Sequence, residues 1–81
     1  MMHPTVHING TSKESLTKQW CDAHEACREA LRKLAEAAPH GRDYYPQGPD
    51  AYYQAREEHV ARMQKIQDVI NDMVYLAEEV Y

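Results

Sequence analysis

One short segment of the chain, residues 39–49, concentrates side chains that could bind a ligand. It contains His40, Arg42, Tyr44 and Tyr45, together with three prolines and two glycines. Flexible linkers are polar and poor in aromatic residues, whereas this segment is stiff and rich in groups that stack or hydrogen-bond. Arginine grips phosphate and carboxylate oxygens with a two-pronged fork, and tyrosine stacks on nucleobases. We therefore expect the binding function of the chain to lie here.

The segment before it has the pattern of an amphipathic helix over residues 12–37. Thr11 and Glu14 fit a capping box, in which each side chain bonds the free N–H of the other residue. Pro39 disfavours helical geometry at the residue before it and ends the helix. Apolar and small residues recur in steps of three and four, which places them on one face: Leu16, Trp20, Ala23, Cys27, Ala30 or Leu31, Leu34 and Ala37.

A second helix is predicted over residues 50–80. Pro49 suits the first helical position, and Asp50 suits the positive end of the helix dipole. Its main face follows alternating steps of four and three, the seam of an antiparallel helix pair: Tyr52, Arg56, His59, Met63, Ile66, Ile70, Met73, Ala77 and Val80. Beside it runs a second apolar edge formed by Tyr53, Val60, Val69, Val74, Leu76 and Tyr81.

These elements predict an all-α fold with a single domain over residues 1–81. Residues 1–10 form a short N-terminal arm, with a weak strand signal and an Asn9-Gly10 turn, and residues 38–49 form the loop of an antiparallel two-helix hairpin. A lone hairpin leaves the second apolar edge in water, and exposed apolar patches of that size mark contact surfaces. We therefore expect the protein to be a homo-oligomer, with hairpins associating into a helical bundle.

Two polar residues, Arg56 and His59, interrupt the seam near the loop. Antiparallel pairing places Leu34 near Arg56 and Leu31 near His59. The predicted ligand-binding set, which gathers the polar and aromatic groups expected at this end, is His40, Arg42, Tyr44, Tyr45, Arg56 and His59. Two guanidinium groups, two imidazoles and the phenols would converge on a small anion, and the start of the second helix favours anions as well.

A purely structural interpretation of the same residues remains open. Asp43 or Glu57 would neutralise Arg42, and Glu36 or Asp50 would pair with Arg56, while the tyrosines would cover the hairpin end. A buried polar group at one end of a seam also forbids slipped pairings, at a cost in stability. Trp20, placed opposite about Ile70, is expected in the core.

Neither a metal site, a cofactor nor catalysis is indicated. Cys21, His24 and Cys27 are of the types that bind zinc, but residues six apart on a helix point in different directions. The chain has no Gly-rich phosphate loop, no H-E-x-x-H motif and no signature of an activated nucleophile. The neighbouring Glu57, Glu58 and His59 point apart and are best interpreted as solvated charge. We expect no catalytic residues and no bound metal.

Charge and composition limit the classes of binding partner and the cellular compartment that we expect for the protein. The formal net charge is −4, from 13 acidic and 9 basic residues, and the basic residues are scattered among acids. A nucleic acid polymer is therefore a poor partner, because its binding requires a basic stripe. The first ten residues lack the basic start and the apolar core expected of a signal peptide, and no apolar run approaches about 20 residues. Together with two free cysteines, this predicts a cytoplasmic protein that does not enter membranes.

Three stretches, 7–12, 40–48 and 57–59, together resemble small proteins of phages and prophages whose function is not established. The resemblance implies an accessory role inside the host cell. Short phage proteins of this kind often block a host defence, either by sequestering a nucleotide signal or by covering a protein surface. Our first hypothesis is a non-enzymatic protein that binds a small anionic, nucleotide-type ligand. The alternative is a protein–protein inhibitor or adaptor that docks on a host defence protein.

Overall fold

Two long helices lying against each other form the protein. The computed structural model describes residues 1–79 and places α1 at Lys13–Glu36 and α2 at Ala51–Glu78. Between them, the loop contains two 3₁₀ turns, Gly41–Asp43 and Tyr45–Gln47. The part of the chain that the structure describes contains no strand. The prediction of an all-α, two-helix hairpin is confirmed.

The start of α1 is fixed by Ser12. Its backbone is extended, and its hydroxyl oxygen accepts a hydrogen bond from the Ser15 N–H at 3.1 Å. A side-chain acceptor at this position satisfies one of the free N–H groups of the first turn. The predicted capping box of Thr11 and Glu14 is thus one residue too early, and Ser12 is the cap rather than the first helical residue.

Tight turns take the chain from α1 into α2. The Ala37 N–H bonds the Leu34 carbonyl at 3.1 Å, which closes the last turn of α1 two residues before Pro39. Gly48 then adopts a φ of 116°, a left-handed conformation that favours glycine. The second helix begins at Ala51, one residue later than predicted. Its predicted end at Val80 and the apolar Tyr81 lie outside the described residues.

The N-terminal arm is a turn rather than a strand. The Gly10 N–H donates to the His7 carbonyl at 3.0 Å, and Ile8 stands fully in solvent. Further back, the ring of His3 packs edge-on against Tyr75, with ring centroids 6.2 Å apart. The arm therefore reaches the C-terminal end of α2. Leu76, which follows Tyr75 in the sequence and which we expected in water, is buried.

The core of the hairpin is thin. Among residues 1–79, only His59, Ile70 and Leu76 are buried, and all three belong to α2. The molecule measures 62 × 20 × 16 Å with a radius of gyration of 18.3 Å, against about 12 Å for a compact domain of this length. The fold is thus one layer of two helices. Several apolar residues remain exposed on it: Tyr53, Val60, Val69, Val74 and Tyr75.

Trp20 contributes to this core at the expense of a hydrogen bond. The indole is half-buried, and its Nε1 atom is shielded from solvent without a hydrogen-bond partner. A buried donor without a partner costs about 1–3 kcal/mol. We expect Trp20→Phe, which removes the donor and keeps a large ring, to leave the free energy of unfolding unchanged or to raise it by about 1 kcal/mol.

The measurement is urea unfolding followed by circular dichroism, because the substitution removes the tryptophan fluorescence. Trp20→Ala is the control, since it removes both the donor and the ring, and we expect it to lower the free energy of unfolding by about 3 kcal/mol. If Trp20→Phe costs as much as Trp20→Ala, the indole N–H is engaged and the prediction is wrong.

Candidate binding site at the loop end

The loop end is organised by hydrogen bonds within the two 3₁₀ turns. The Arg42 N–H donates to Nδ1 of His40 at 3.2 Å. An imidazole that accepts at Nδ1 carries its proton on Nε2 when it is neutral, so the exposed His40 ring presents an N–H donor to solvent. The Tyr44 N–H bonds the Gly41 carbonyl, and the Tyr44 carbonyl accepts from Gln47, both at 3.0 Å. Tyr44 thereby joins the two turns.

Arg42 and Arg56 are the two arginines of the loop end. Both are exposed, and neither forms an ion pair with any residue in the range 1–79. The proposed neutralisation of Arg42 by Asp43 or Glu57 is not observed. Glu36, one of the partners suggested for Arg56, instead pairs with Arg32 at 2.9 Å.

Four ion pairs lie within α1. Lys18 binds Asp22 at 2.6 Å, and Arg32 binds Glu29 at 2.6 Å. The hydrogen bond from Arg32 lowers the pKa of Glu29, and the hydrogen bond to Asp22 raises the pKa of Lys18. Several charges of α1 are thus paired within the helix, whereas the arginines at the loop end remain available to another molecule.

Four tyrosines lie near these arginines in the sequence, two in the loop and two at the start of α2. Tyr45 is 77% exposed and Tyr53 is 60% exposed, while Tyr44 and Tyr52 are half-buried. The rings of Tyr52 and Tyr53 meet edge to face, with centroids 5.5 Å apart. Tyr53, which sequence reasoning left out of the ligand-binding set, is held by this contact and presents an open aromatic surface at the start of α2.

His59 does not share the exposure of the other candidates. Its side chain is only 5% exposed, Nε2 lies 2.8 Å from the Leu34 carbonyl, and Nδ1 lies 3.0 Å from Nη1 of Arg62. A neutral ring with its proton on Nε2 satisfies both contacts, donating to the carbonyl and accepting from the guanidinium. Both ring nitrogens are therefore engaged within the chain, and we remove His59 from the proposed binding set.

The pairing of the helices differs from the predicted register by about one turn. His59, rather than Arg56, contacts the Leu34 carbonyl. Arg56 is exposed, and the neighbouring Ala55 is the half-buried residue of that turn of α2. The physical reason lies in the two side chains. A neutral imidazole can be buried once both nitrogens are bonded, whereas a guanidinium keeps its charge and favours water.

Two adjoining hollows lie between the helices on one side of the hairpin. Neither is lined by a loop residue. The larger has a volume of about 1140 Å³. We call this surface the groove and define it by its apolar lining: Leu31, Val60, Met63, Ile70 and Val74. The sequence signal for it was Val60 and Val74 of the second apolar edge.

The remaining candidates of the sequence form no site of their own. Cys21 is exposed, Cys27 is half-buried, and both are free thiols. Within residues 1–79, no three His, Cys, Asp or Glu side chains are grouped so that they could hold a metal ion. A search of the same residues finds no helix with the length and apolarity that a bilayer crossing needs.

We compared the chain with models of protein families, with curated proteins and with solved structures, and none of the three comparisons gives a match.

Proposed function

We propose that the protein is a non-enzymatic binding protein whose loop end docks on an acidic surface of a partner protein. The observation that carries the proposal is the pair Arg42 and Arg56, both exposed and without an ion pair, close in sequence to the exposed rings of Tyr45 and Tyr53. Tyrosine and arginine are the residues that most often anchor protein interfaces. An acidic partner would supply the carboxylates that these arginines lack within the chain.

The open character of the loop end favours a protein over a small molecule. Small ligands bind in clefts that bury most of their surface, whereas Tyr45 is 77% exposed and Arg42 and Arg56 are exposed as well. A protein surface can cover such an open platform. In keeping with the resemblance to phage proteins, we propose a host defence protein as the partner and the host cytoplasm as the place of binding.

A small anionic ligand of the nucleotide type is the second candidate. The same two arginines favour it, and His40 offers an Nε2–H donor two residues from Arg42. Asp50 makes no side-chain hydrogen bond to the first turn of α2, so amide groups at this helix start are open to an anion. In this function Tyr44 and Tyr45 would stack on the base.

Charge reversal at the loop end tests both candidates. We expect the double variant Arg42→Glu and Arg56→Glu to retain about tenfold less of the partner from a bacterial host lysate, because the partner's carboxylates would face like charges. The matched control reverses two exposed lysines elsewhere, Lys13→Glu and Lys65→Glu, and should capture the partner as the unaltered protein does. Capture is measured by quantitative mass spectrometry. Equal capture by both double variants would refute docking through the loop end.

Calorimetry separates the second candidate from the first. Cyclic and linear nucleotides are titrated into about 100 μM protein, a concentration that reveals even weak binding. Heat that disappears in the Arg42→Glu, Arg56→Glu variant and persists in the lysine control supports a nucleotide-type ligand. The absence of heat from every nucleotide removes that candidate.

A further inference from the structure

The groove presents an ordered apolar surface to solvent. Val60 is 61% exposed, and Ile70 is buried at 6% exposure among the residues lining the groove. Tyr53, Val60, Gln67 and Val74 follow one another at intervals of seven residues along α2. A seven-residue spacing keeps side chains on one line facing another helix. The groove thus has the pattern of a helix-packing face with no helix on it.

The charges that line the groove on α1 indicate which helix fits. They run Glu25, Arg28, Glu29 and Arg32, all exposed. This order changes sign about the point between Arg28 and Glu29. When a second α1 lies antiparallel across that point, Glu25 of one copy faces Arg32 of the other, and Arg28 faces Glu29. A parallel arrangement in the same register would instead bring identical charges together.

The polar residues that line the groove on α2 are compatible with this arrangement. They are the neutral amides of Gln64, Gln67 and Asn71, which can hydrogen-bond across a two-fold axis without repulsion. Glu25 and Arg28 form no ion pair in the described chain, and Arg32 already binds Glu29 and Glu36 on its own helix. A second copy would therefore give Glu25 and Arg28 the partners that they lack.

The single hairpin also needs the contact. No residue of α1 is buried, and a chain of this size is marginally stable on its own. We infer that a second copy of the chain fills the groove in an antiparallel, two-fold arrangement, with α1 against α1 and α2 against α2. The dimer is a four-helix bundle. The inference goes beyond the proposed function, because the dimer carries one loop end, and so one binding platform, at each extremity.

Mass and charge reversal test the dimer. Sedimentation equilibrium should give twice the chain mass of 9.4 kDa. R28E should raise the dissociation constant about tenfold, because it sets a negative charge against Glu29 of the other copy. The double variant R28E/E29R should recover the original value, since it exchanges the two signs. A single-chain mass at about 100 μM, or equal weakening by R28E and R28E/E29R, would overturn the inference.

An apolar contrast tests whether the groove is the interface. V60E places a carboxylate in the groove and should raise the dissociation constant about a hundredfold. V69E makes the same change at a valine that is exposed but does not line the groove, and should leave the mass unchanged. Circular dichroism verifies that both variants remain helical. A dimer that survives V60E would show that the groove is not the contact surface.

The orientation has its own measurement. In a variant with Cys21→Ser and Cys27→Ala, a spin label is attached at Lys13→Cys. Lys13 lies about 23 Å along the helix from the proposed axis, so the two labels should be roughly 45 Å apart in the antiparallel dimer. A parallel dimer would bring them to about 25 Å or less. The shorter distance would contradict the antiparallel arrangement.

Discussion

Replacing Ile70 with alanine is expected to lower the free energy of unfolding by about 3 kcal/mol. Ile70 is one of three buried residues in the described chain and lines the groove with Met63 and Val74. Its truncation removes a buried apolar side chain and leaves a void in a core that contains few other buried residues. A small core supplies only about 3–5 kcal/mol in total, so we expect the variant to be largely unfolded at room temperature.

Val69→Ala is the matched control for this prediction. Val69 precedes Ile70 on the same helix but is 44% exposed, so its truncation should cost less than about 1 kcal/mol. Both free energies are measured by urea unfolding at one fixed protein concentration, because association stabilises the folded state more at higher protein concentration. Equal losses for Ile70→Ala and Val69→Ala would mean that the side of α2 bearing Ile70 does not form the core.

The two helices were predictable because their signals are local. Apolar residues in steps of three and four predicted helices over residues 12–37 and 50–80, and α1 and α2 occupy Lys13–Glu36 and Ala51–Glu78. The error at the first cap has the same local origin. Thr11 and Ser12 both carry a hydroxyl that can accept the first amide, and only the extended backbone of Ser12 decides between them.

The pairing of the helices was not predictable from the same periodicity. Sliding one helix by a full turn along the other brings apolar residues against apolar residues again, so several registers satisfy the pattern. The register is marked instead by a single polar contact, from His59 to the Leu34 carbonyl. A loop containing two 3₁₀ turns and a left-handed Gly48 determines how far along α2 that contact falls.

The burial of Leu76 and the contact of the arm with α2 also differ from the expectation. Leu76 belongs to an apolar edge that we expected in water, but it is buried, and the preceding residue Tyr75 contacts His3 of the arm. No spacing rule links residues at opposite ends of a sequence. At the loop end, composition alone pointed to His40, Arg42, Tyr44 and Tyr45, while the exposed position of Arg56 and the removal of His59 from the set depend on the register.

His59 should therefore be the most sensitive polar residue of the fold. We expect His59→Ala to lower the free energy of unfolding by about 2–3 kcal/mol. The substitution removes a buried ring, its bond to the Leu34 carbonyl and the acceptor for Arg62. His59→Gln should retain part of the stability, because the glutamine Nε2 can donate to the same carbonyl. Urea unfolding of the two variants measures the difference.

His59→Leu separates burial from hydrogen bonding. The Leu34 carbonyl keeps its bond from the Ala37 N–H at 3.1 Å, so leucine leaves no orphaned acceptor and adds apolar surface to the seam. We expect the free energy of unfolding of this variant to lie within about 1 kcal/mol of the value for the unaltered protein. Arg62→Met, which removes only the exposed donor to Nδ1, should cost less than about 1 kcal/mol. If leucine at position 59 destabilises as much as alanine does, the bond to Leu34, and not the filling of the seam, stabilises the junction of the two helices.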